Sequence, residues 1–171
     1  MILSTDRDPR LVTVRRGGTL TDDDHRLLAA WAAACAEHVL PFFEAVKPDD
    51  DRPRAGIAAV RSWIGGELRM MSSRAAAFPA NAAAREVDGA ARFAALSAGQ
   101  AAAVAHVAEH DLGAAAYALR AAAAGAPQPQ ALEGLRLERD WQLAQLPGAL
   151  RSLVVEDERR RDALCWGVFS A

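Results

Sequence analysis

Lysine and cysteine are nearly absent from this 171-residue chain, and charge of one sign does not dominate it. Lys47 is the only lysine, so arginine carries almost all of the positive charge. Basic and acidic residues number 20 and 22, for a formal charge of −2, and this balance argues against a polybasic nucleic-acid-binding protein. Cys35 and Cys165 have no C-x-x-C or Cys/His ligand spacing, which predicts buried free thiols.

Several motifs of enzymes and exported proteins are also missing. The chain has neither a G-x-S-x-G nucleophile motif nor a G-x-x-x-x-G-K-[ST] phosphate loop. The polar N-terminus lacks the apolar segment of a signal peptide, and no stretch has the roughly 18 strongly apolar residues of a membrane span. We therefore expect a cytoplasmic protein without catalytic residues or cofactors that binds neither membranes nor nucleic acid.

Alanine supplies about a quarter of the residues and forms helix at the least cost of all residues. The sequence therefore predicts an all-α fold, a single-domain compact bundle of about six to eight helices over residues 1–171. Because alanine is small, its helices can approach closely, and the scarcer large residues must supply most of the apolar burial. No repeat of fixed period is visible, which favours a bundle over a solenoid.

Residues 1–20 predict a short N-terminal extended segment, either an arm or a strand. Arg10–Arg15 alternate with a period of two, and Gly17 and Gly18 end the pattern. Such a strand could pair with another short piece of the chain, lie over the helices, or pair with its copy in a dimer.

The first helix has a clear start at Thr21, whose hydroxyl can cap the helix. An apolar stripe begins at Leu28 and continues to a helix end near Lys47, with a kink at Pro41. Two acidic groups lie at helix entrances, where carboxylates face the positive end of the dipole. They are Asp22, Asp23 and Asp24 before the first stripe, and Asp49, Asp50 and Asp51 before the second.

The second and third helices have weaker boundary signals. The second begins at Arg52 and Pro53 and weakens at the glycine pair Gly65–Gly66. Ser72 or Ser73 caps the third, which extends to about residue 85 with a bend at Pro79.

Further boundaries follow from single residues. Asp88 opens a fourth helix, and Gly113 marks a break before the next alanine run. Residues 125–130, rich in proline, glycine and glutamine, predict an internal loop. Leu132 and Leu137 belong to the apolar face of a further helix, and Glu156–Trp166 is predicted to form the last helix.

One spacing is typical of a metal site. His106, Glu109 and His110 match H-x-x-E-H, the zinc-binding helix of inverted zinc peptidases. That chemistry needs a third protein ligand, and none of the downstream glutamates has a signature around it. The alternative for His110 is a half-buried imidazole hydrogen-bonded between helices. We predict no metal, with these three residues as the candidates for a zinc site.

Nine residues are candidates for binding a partner. The acidic groups at the helix starts could steer a basic protein, although helix capping alone explains them. Trp63 lies in an apolar stripe, where tryptophan serves either the core or an interface. The nine are Asp22, Asp23, Asp24, Asp49, Asp50, Asp51, Arg52, Arg54 and Trp63.

The three arginines Arg159–Arg161 are flanked by acidic residues on both sides. On a helix, an acidic residue three or four positions from a basic residue can form an ion pair with it. This run therefore predicts a solvated face of ion pairs rather than a nucleic-acid-binding stripe.

Five stretches carry a resemblance to a known family. They read L-L-A-A-W-A-A-A-C-A-E-H-V-L-P-F-F-E (Leu27–Glu44), D-D-R-P-R-A (Asp50–Ala55), A-V-A-H-V-A-E-H-D-L-G-A-A-A-Y-A-L-R-A (Ala103–Ala121), and W-Q-L-A-Q-L-P followed by R-R-R-D-A-L-C-W-G-V-F. Together they resemble the immunity proteins of the Imm-5-like group over nearly the whole chain. Pro79 is a departure, because similar sequences have alanine there.

The resemblance implies a mostly helical protein of bacterial polymorphic toxin systems, which binds and neutralises a cognate toxin in the cytoplasm. It marks no catalytic or toxin-contacting residues. A helical block without catalytic residues is suited to inhibition by occlusion. Two other functions stay open: a zinc-binding helical protein or metallohydrolase-like site at His106, Glu109 and His110, and a helical scaffold or homo-oligomer, for which a homodimer is the simplest form.

Overall fold

A computed structural model describes residues 3–4 and 6–171 of the chain. This part of the chain forms seven α-helices, and its only β-pairing is one isolated bridge between Thr13 and Leu20. The predicted all-α, single-domain bundle is confirmed. The helices are Asp22–Glu44 (α1), Arg52–Ile64 (α2), Met70–Ala83 (α3), Gly89–Val104 (α4), Asp111–Gly125 (α5), Ala131–Gln145 (α6) and Arg151–Arg161 (α7).

Helix α4 lies at the centre of the bundle and packs against α1, α2, α3 and α5. From Ala94 to Val104 almost every residue is buried, and most are alanine, so the surrounding helices can approach its backbone closely. Two buried serines on these helices are satisfied by carbonyl groups of a neighbouring helix. Ser97 donates to the Ala114 oxygen at 2.8 Å, and Ser73 of α3 donates to the Ala102 oxygen at 2.9 Å.

The predicted start of α1 is confirmed. The Thr21 hydroxyl oxygen accepts a hydrogen bond of 3.1 Å from the Asp24 backbone N–H, so it caps the first turn. The helix continues through Pro41 and ends at Glu44, slightly before the expected end near Lys47. Its inner face carries Trp31, which is buried and donates its indole N–H to the Gln142 carbonyl at 2.9 Å.

Contrary to expectation, α1 is long and apolar enough by length and composition to cross a membrane. Its most apolar stretch has a mean hydropathy of 1.2, and 56% of that stretch is buried inside the protein. Leu28, Val39 and Phe43 are all at most 1% exposed. In this fold the apolar face of α1 therefore contributes to the bundle core.

The predicted strand Arg10–Arg15 does not form. Pro9–Leu11 and Val14–Arg16 are instead 3-10 helices. The first begins at Pro9, whose ring favours a helical first position, and the Asp8 side chain caps it by accepting from the Arg10 N–H. The chain then turns back through Gly17, which has a left-handed φ of 86°, and buries Leu20. The segment is thus a folded arm.

Two predicted boundaries in the middle of the chain are wrong. Helix α3 begins at Met70, and Ser73 is a buried donor inside it rather than its cap. The break before α5 occurs around Val107, whose extended backbone (φ −140°, ψ 114°) interrupts the helix. Gly113 lies inside α5, where a Cβ would come 2.4 Å from the Gln100 side-chain oxygen. This glycine accommodates a close contact instead of ending a helix.

The C-terminal part also differs from the prediction. The last α-helix is α7. A 3-10 helix over Asp162–Cys165 follows it, and Trp166 is its C-cap residue. Leu132 and Leu137 on α6 are 58% and 61% exposed, so they do not belong to the core. The loop predicted at 125–130 is confirmed, since α5 ends at Gly125 and α6 begins at Ala131.

Candidate functional site

The H-x-x-E-H residues do not share a helix face. His106 follows the end of α4, and Glu109 and His110 lie in a 3-10 helix before α5. Each side chain has a different environment: His110 Nδ1 donates to Gln100 Oε1 at 2.8 Å, and the buried Glu109 carboxylate pairs with Arg7. The hydrogen bond of His110 is the interhelical contact that the sequence offered as the alternative.

Both histidines are surrounded by groups that favour the neutral ring. Burial, followed by the charges of His106 and Arg161, lowers the pKa of His110 to about 4. Burial and nearby arginines also lower the pKa of His106. Across the described part of the chain, no three His, Cys, Asp or Glu side chains are grouped to hold a metal ion. The zinc alternative gains no support from this geometry.

The acidic residues at the start of α1 are engaged with their own chain. Asp22 pairs with Arg15, and Asp23 pairs with Arg26 at 3.2 Å. Asp24 accepts from the Thr21 hydroxyl at 2.7 Å, in addition to the capping bond of its N–H. These side chains are exposed or half-buried. Arginines balance the charges of Asp22 and Asp23, whereas the hydroxyl partner of Asp24 is neutral and leaves its charge unbalanced.

The second acidic group and its arginines also form internal ion pairs. Arg52 bonds Asp50 at 2.6 Å and Glu86 at 2.9 Å, and the Arg52 guanidinium lowers the pKa of Asp50. Arg54 pairs with Glu44 across the α1–α2 connection. Asp49 and Asp51 are exposed, and the Asp51 side chain makes no capping bond although it precedes α2.

Trp63 lines a cleft of about 390 Å³ at one end of the bundle. Its ring centre is 5.0 Å from that of His25, which donates Nε2–H to the Val104 carbonyl at 2.7 Å. The cleft also contains Arg16 and His106. The half-buried indole therefore packs against the core and also reaches a surface of positive charge.

In the arginine run of α7, Arg159 and Arg160 are exposed as the composition predicts, but Arg161 is not. Arg161 is fully buried, and its Nε lies 2.9 Å from each carboxylate oxygen of Asp157, which is also buried. Its Nη1 donates to the Glu109 carbonyl at 2.9 Å, and its Nη2 lies 3.5 Å from Asp111 Oδ1. The run thus joins α7 to the start of α5 through a buried ionic cluster.

Sequence reasoning missed a surface formed by one arginine and three aromatic side chains: Phe93 of α4, Tyr117 and Arg120 of α5, and Trp166 after α7. We call it the Arg120 surface. The Arg120 guanidinium carbon lies 4.1 Å from the centre of the Phe93 ring and 4.3 Å from that of Trp166. The Tyr117 ring centre is 5.0 Å from that of Trp166. Phe93 and Trp166 are far apart in the chain, so no local spacing signals that both rings contact Arg120.

Arg120 is half-buried, yet no hydrogen bond or ion pair joins it to any described residue. Burial, followed by the charge of Arg92, lowers the pKa of Arg120, although the tyrosine beside it acts in the opposite direction. Other partly buried arginines, such as Arg52 and Arg139, each bond a carboxylate. The Arg120 surface therefore holds a cation between two rings without an acidic partner among the described residues. Arg74 is also half-buried without such a partner, but it lies over a single ring, that of Phe78.

Comparison with known proteins gives one finding. A family model described as Imm-5 like putative immunity protein matches residues 18–149. No curated protein and no solved structure matches. The matched residues run from just before α1 to the short 3-10 helix that precedes α7. They include Phe93, Tyr117 and Arg120, and they leave out Trp166.

Proposed function

The chain belongs to the family of Imm-5 like putative immunity proteins, and on this ground we propose that it binds and neutralises a cognate bacterial toxin. The family match is the observation that carries the proposal. We further propose that the protein acts in the cytoplasm of the cell that it protects, and that it inhibits by occlusion, without catalysing a reaction.

The architecture supports inhibition by a preformed surface. The central helix α4 is buried on nearly all sides, and buried polar groups such as Ser73 and Arg161 bond across helices. A scaffold of this kind meets its partner with little backbone rearrangement, so less binding free energy is lost in ordering the interface. Charged side chains then set the association rate, and a few buried aromatic or arginine anchors set the lifetime of the complex.

A protection assay tests the proposal. The product of the gene beside this one is expressed in a sensitive host, with and without this chain, and its toxic domain is the toxin domain of the tests below. We expect growth only when the chain is present, together with a complex of the two purified proteins in size-exclusion chromatography. Growth arrest in both strains, with no complex, would contradict the proposed function.

A further inference from the structure

We propose that Arg120, held against Phe93 and Trp166, is the central contact for a carboxylate on an acidic segment of the protein that this chain binds. The inference rests on the proposed function and deepens it, because it names the contact face and the chemistry of the partner at that face.

The geometry leaves the donors of Arg120 available. A cation–π contact uses the charge of the guanidinium and the faces of the two rings, and it consumes none of the N–H donors. Within the described residues none of those donors has a hydrogen-bonding or ionic partner. A guanidinium presents its donors in a rigid planar fork that matches both oxygens of a carboxylate. The Arg120 surface therefore offers an oriented site for a carboxylate.

The electrostatics also favour a negative partner. Arg92 raises the positive potential at Arg120, and Arg92 is itself exposed. Burial disfavours the charged guanidinium, so an incoming carboxylate would supply the counter-charge that the chain does not. In much of the remaining surface, arginines already have acidic partners within the chain, as in the pairs Arg10–Glu156 and Arg61–Glu37.

The aromatic side chains provide apolar area around this charge. Trp166 is 48% exposed, and its backbone has the left-handed φ of 62°, which is uncommon for a residue other than glycine. Tyr117 of α5 packs against the Trp166 ring, and Phe93 of α4 packs against the Arg120 guanidinium. Tryptophan, tyrosine and arginine are the residue types that dominate binding energy at protein interfaces.

Charge complementarity favours an acidic protein segment over a second copy of this chain. In a second copy, Asp22, Asp23 and Asp50 already pair with arginines of their own chain, and the exposed carboxylates that remain, such as Asp49 and Asp51, are the ones a dimer would have to use. The formal charge of −2 gives no general attraction for nucleic acid. A carboxylate-bearing loop of the toxin remains the occupant that the chemistry of the Arg120 surface recognises.

The first test compares arginine variants in binding to the purified toxin domain encoded beside this gene. We expect Arg120→Met to raise Kd at least 30-fold, as for a central interface residue, and Arg120→Lys to raise it roughly tenfold, because lysine keeps the charge but loses the planar fork. Arg74→Met is the matched control, because Arg74 also lies over an exposed ring, that of Phe78 at 5.4 Å. It should change Kd less than about threefold. Equal affinities for wild type and Arg120→Met would overturn the inference.

A second test does not depend on the folding of an arginine variant. The photocrosslinker p-benzoylphenylalanine replaces Trp166 in one protein and Phe78, which is 59% exposed, in another. We expect the toxin domain to crosslink at position 166, through a segment that contains aspartate or glutamate, and not at position 78. A complex that crosslinks only at position 78, or a crosslink from position 166 to a second copy of the chain, would overturn the contact face while leaving toxin binding intact. Failure of wild type to bind the toxin domain at all would overturn both proposals.

Discussion

Arg161 and Asp157 form an ion pair that is sealed from solvent, with their side chains 0% and 1% exposed. The Nε of the arginine is equidistant, at 2.9 Å, from both oxygens of the carboxylate one helical turn earlier. The same guanidinium contacts Asp111 and the backbone of Glu109. One cation therefore bridges two buried acids and fixes α7 against the start of α5. Burial raises the pKa of Asp111 to about 7, so the two acids are not both fully charged near neutral pH.

Replacing Arg161 by methionine should destabilise the fold strongly. The variant removes the cation shared by Asp157 and Asp111 and leaves Asp157, among the described residues, with Arg160 alone, at 2.7 Å. Breaking a buried pair in this way costs about 3–5 kcal/mol. Urea unfolding followed by circular dichroism measures the change. Arg159→Met is the control, because Arg159 belongs to the same arginine run but is exposed, and it should change the free energy of unfolding by less than about 0.5 kcal/mol. Equally small effects of the two variants would contradict the buried ion pair of Arg161.

The pH dependence of stability should contain a contribution from His110. Its pKa is about 4 in the folded protein and about 6.5 in an unfolded chain. Between these values the unfolded chain binds more protons, so the contribution is fully present above pH 6.5 and is lost as pH falls toward 4. Between pH 7 and pH 5, wild type should lose about 2 kcal/mol more of its free energy of unfolding than His110→Gln does. The amide of this variant can still donate a hydrogen bond to Gln100.

Urea unfolding of both proteins at pH 5, 6 and 7 measures this difference. His25 and His106 contribute to the pH dependence of both proteins, since the pKa of each is also lowered by burial, and their contributions cancel in the comparison. Parallel curves for wild type and His110→Gln would mean that His110 titrates normally in the folded state.

Gly18 should be intolerant of any side chain. A Cβ at this position would lie 2.0 Å from the Val12 carbonyl oxygen and 2.5 Å from that of Pro9. Because both atoms belong to the backbone, the N-terminal arm must shift, and we expect Gly18→Ala to cost about 1–3 kcal/mol. Gly148→Ala is the control, because nothing lies within 4 Å of its added Cβ. Thermal unfolding of both variants should show a lowered Tm for the first alone, and a normal Tm for Gly18→Ala would argue against the folded arm.

Because the backbone at Trp166 is left-handed, a glycine variant should be more stable than an alanine variant at this position, the reverse of their usual order of stability. Left-handed φ costs a residue with a Cβ roughly 1–2 kcal/mol, so Trp166→Gly should be more stable than Trp166→Ala by about 1 kcal/mol. At Leu164, which is exposed and has no positive φ, the alanine variant should be at least as stable as the glycine variant. Chemical denaturation of the four variants measures both differences. An alanine variant more stable than the glycine variant at position 166 would contradict the assigned backbone.

Features carried by neighbouring residues could be predicted from the sequence, and features carried by distant residues could not. Thr21 and the carboxylates after it specify the start of α1 within four residues, and the proline-rich loop before α6 is equally local. Arg161 looked solvated because charge alternation along one helix is the same for exposed and buried ion pairs. The Arg120 surface depends on residues 93, 120 and 166, which only the tertiary fold brings together.

The break between α4 and α5 shows the same limit. Ala105, the first residue after α4, gives no signal for a stop. Gly113, which suggests a stop by its residue type, is needed for the approach of Gln100. The H-x-x-E-H spacing places its two imidazoles on one face only when the helix is continuous. The extended backbone at Val107 interrupts the helix and separates His106 from His110.

Titration of toxin activity with this protein tests the central claim most directly. A binding protein that occludes its target reduces the activity of the adjacent gene's toxin domain linearly with added protein. The account predicts complete inhibition at one chain per toxin and recovery of intact toxin when the complex is denatured and separated. Complete inactivation by far less than one equivalent, or toxin that stays inactive after separation, would instead show a catalytic activity and contradict the account.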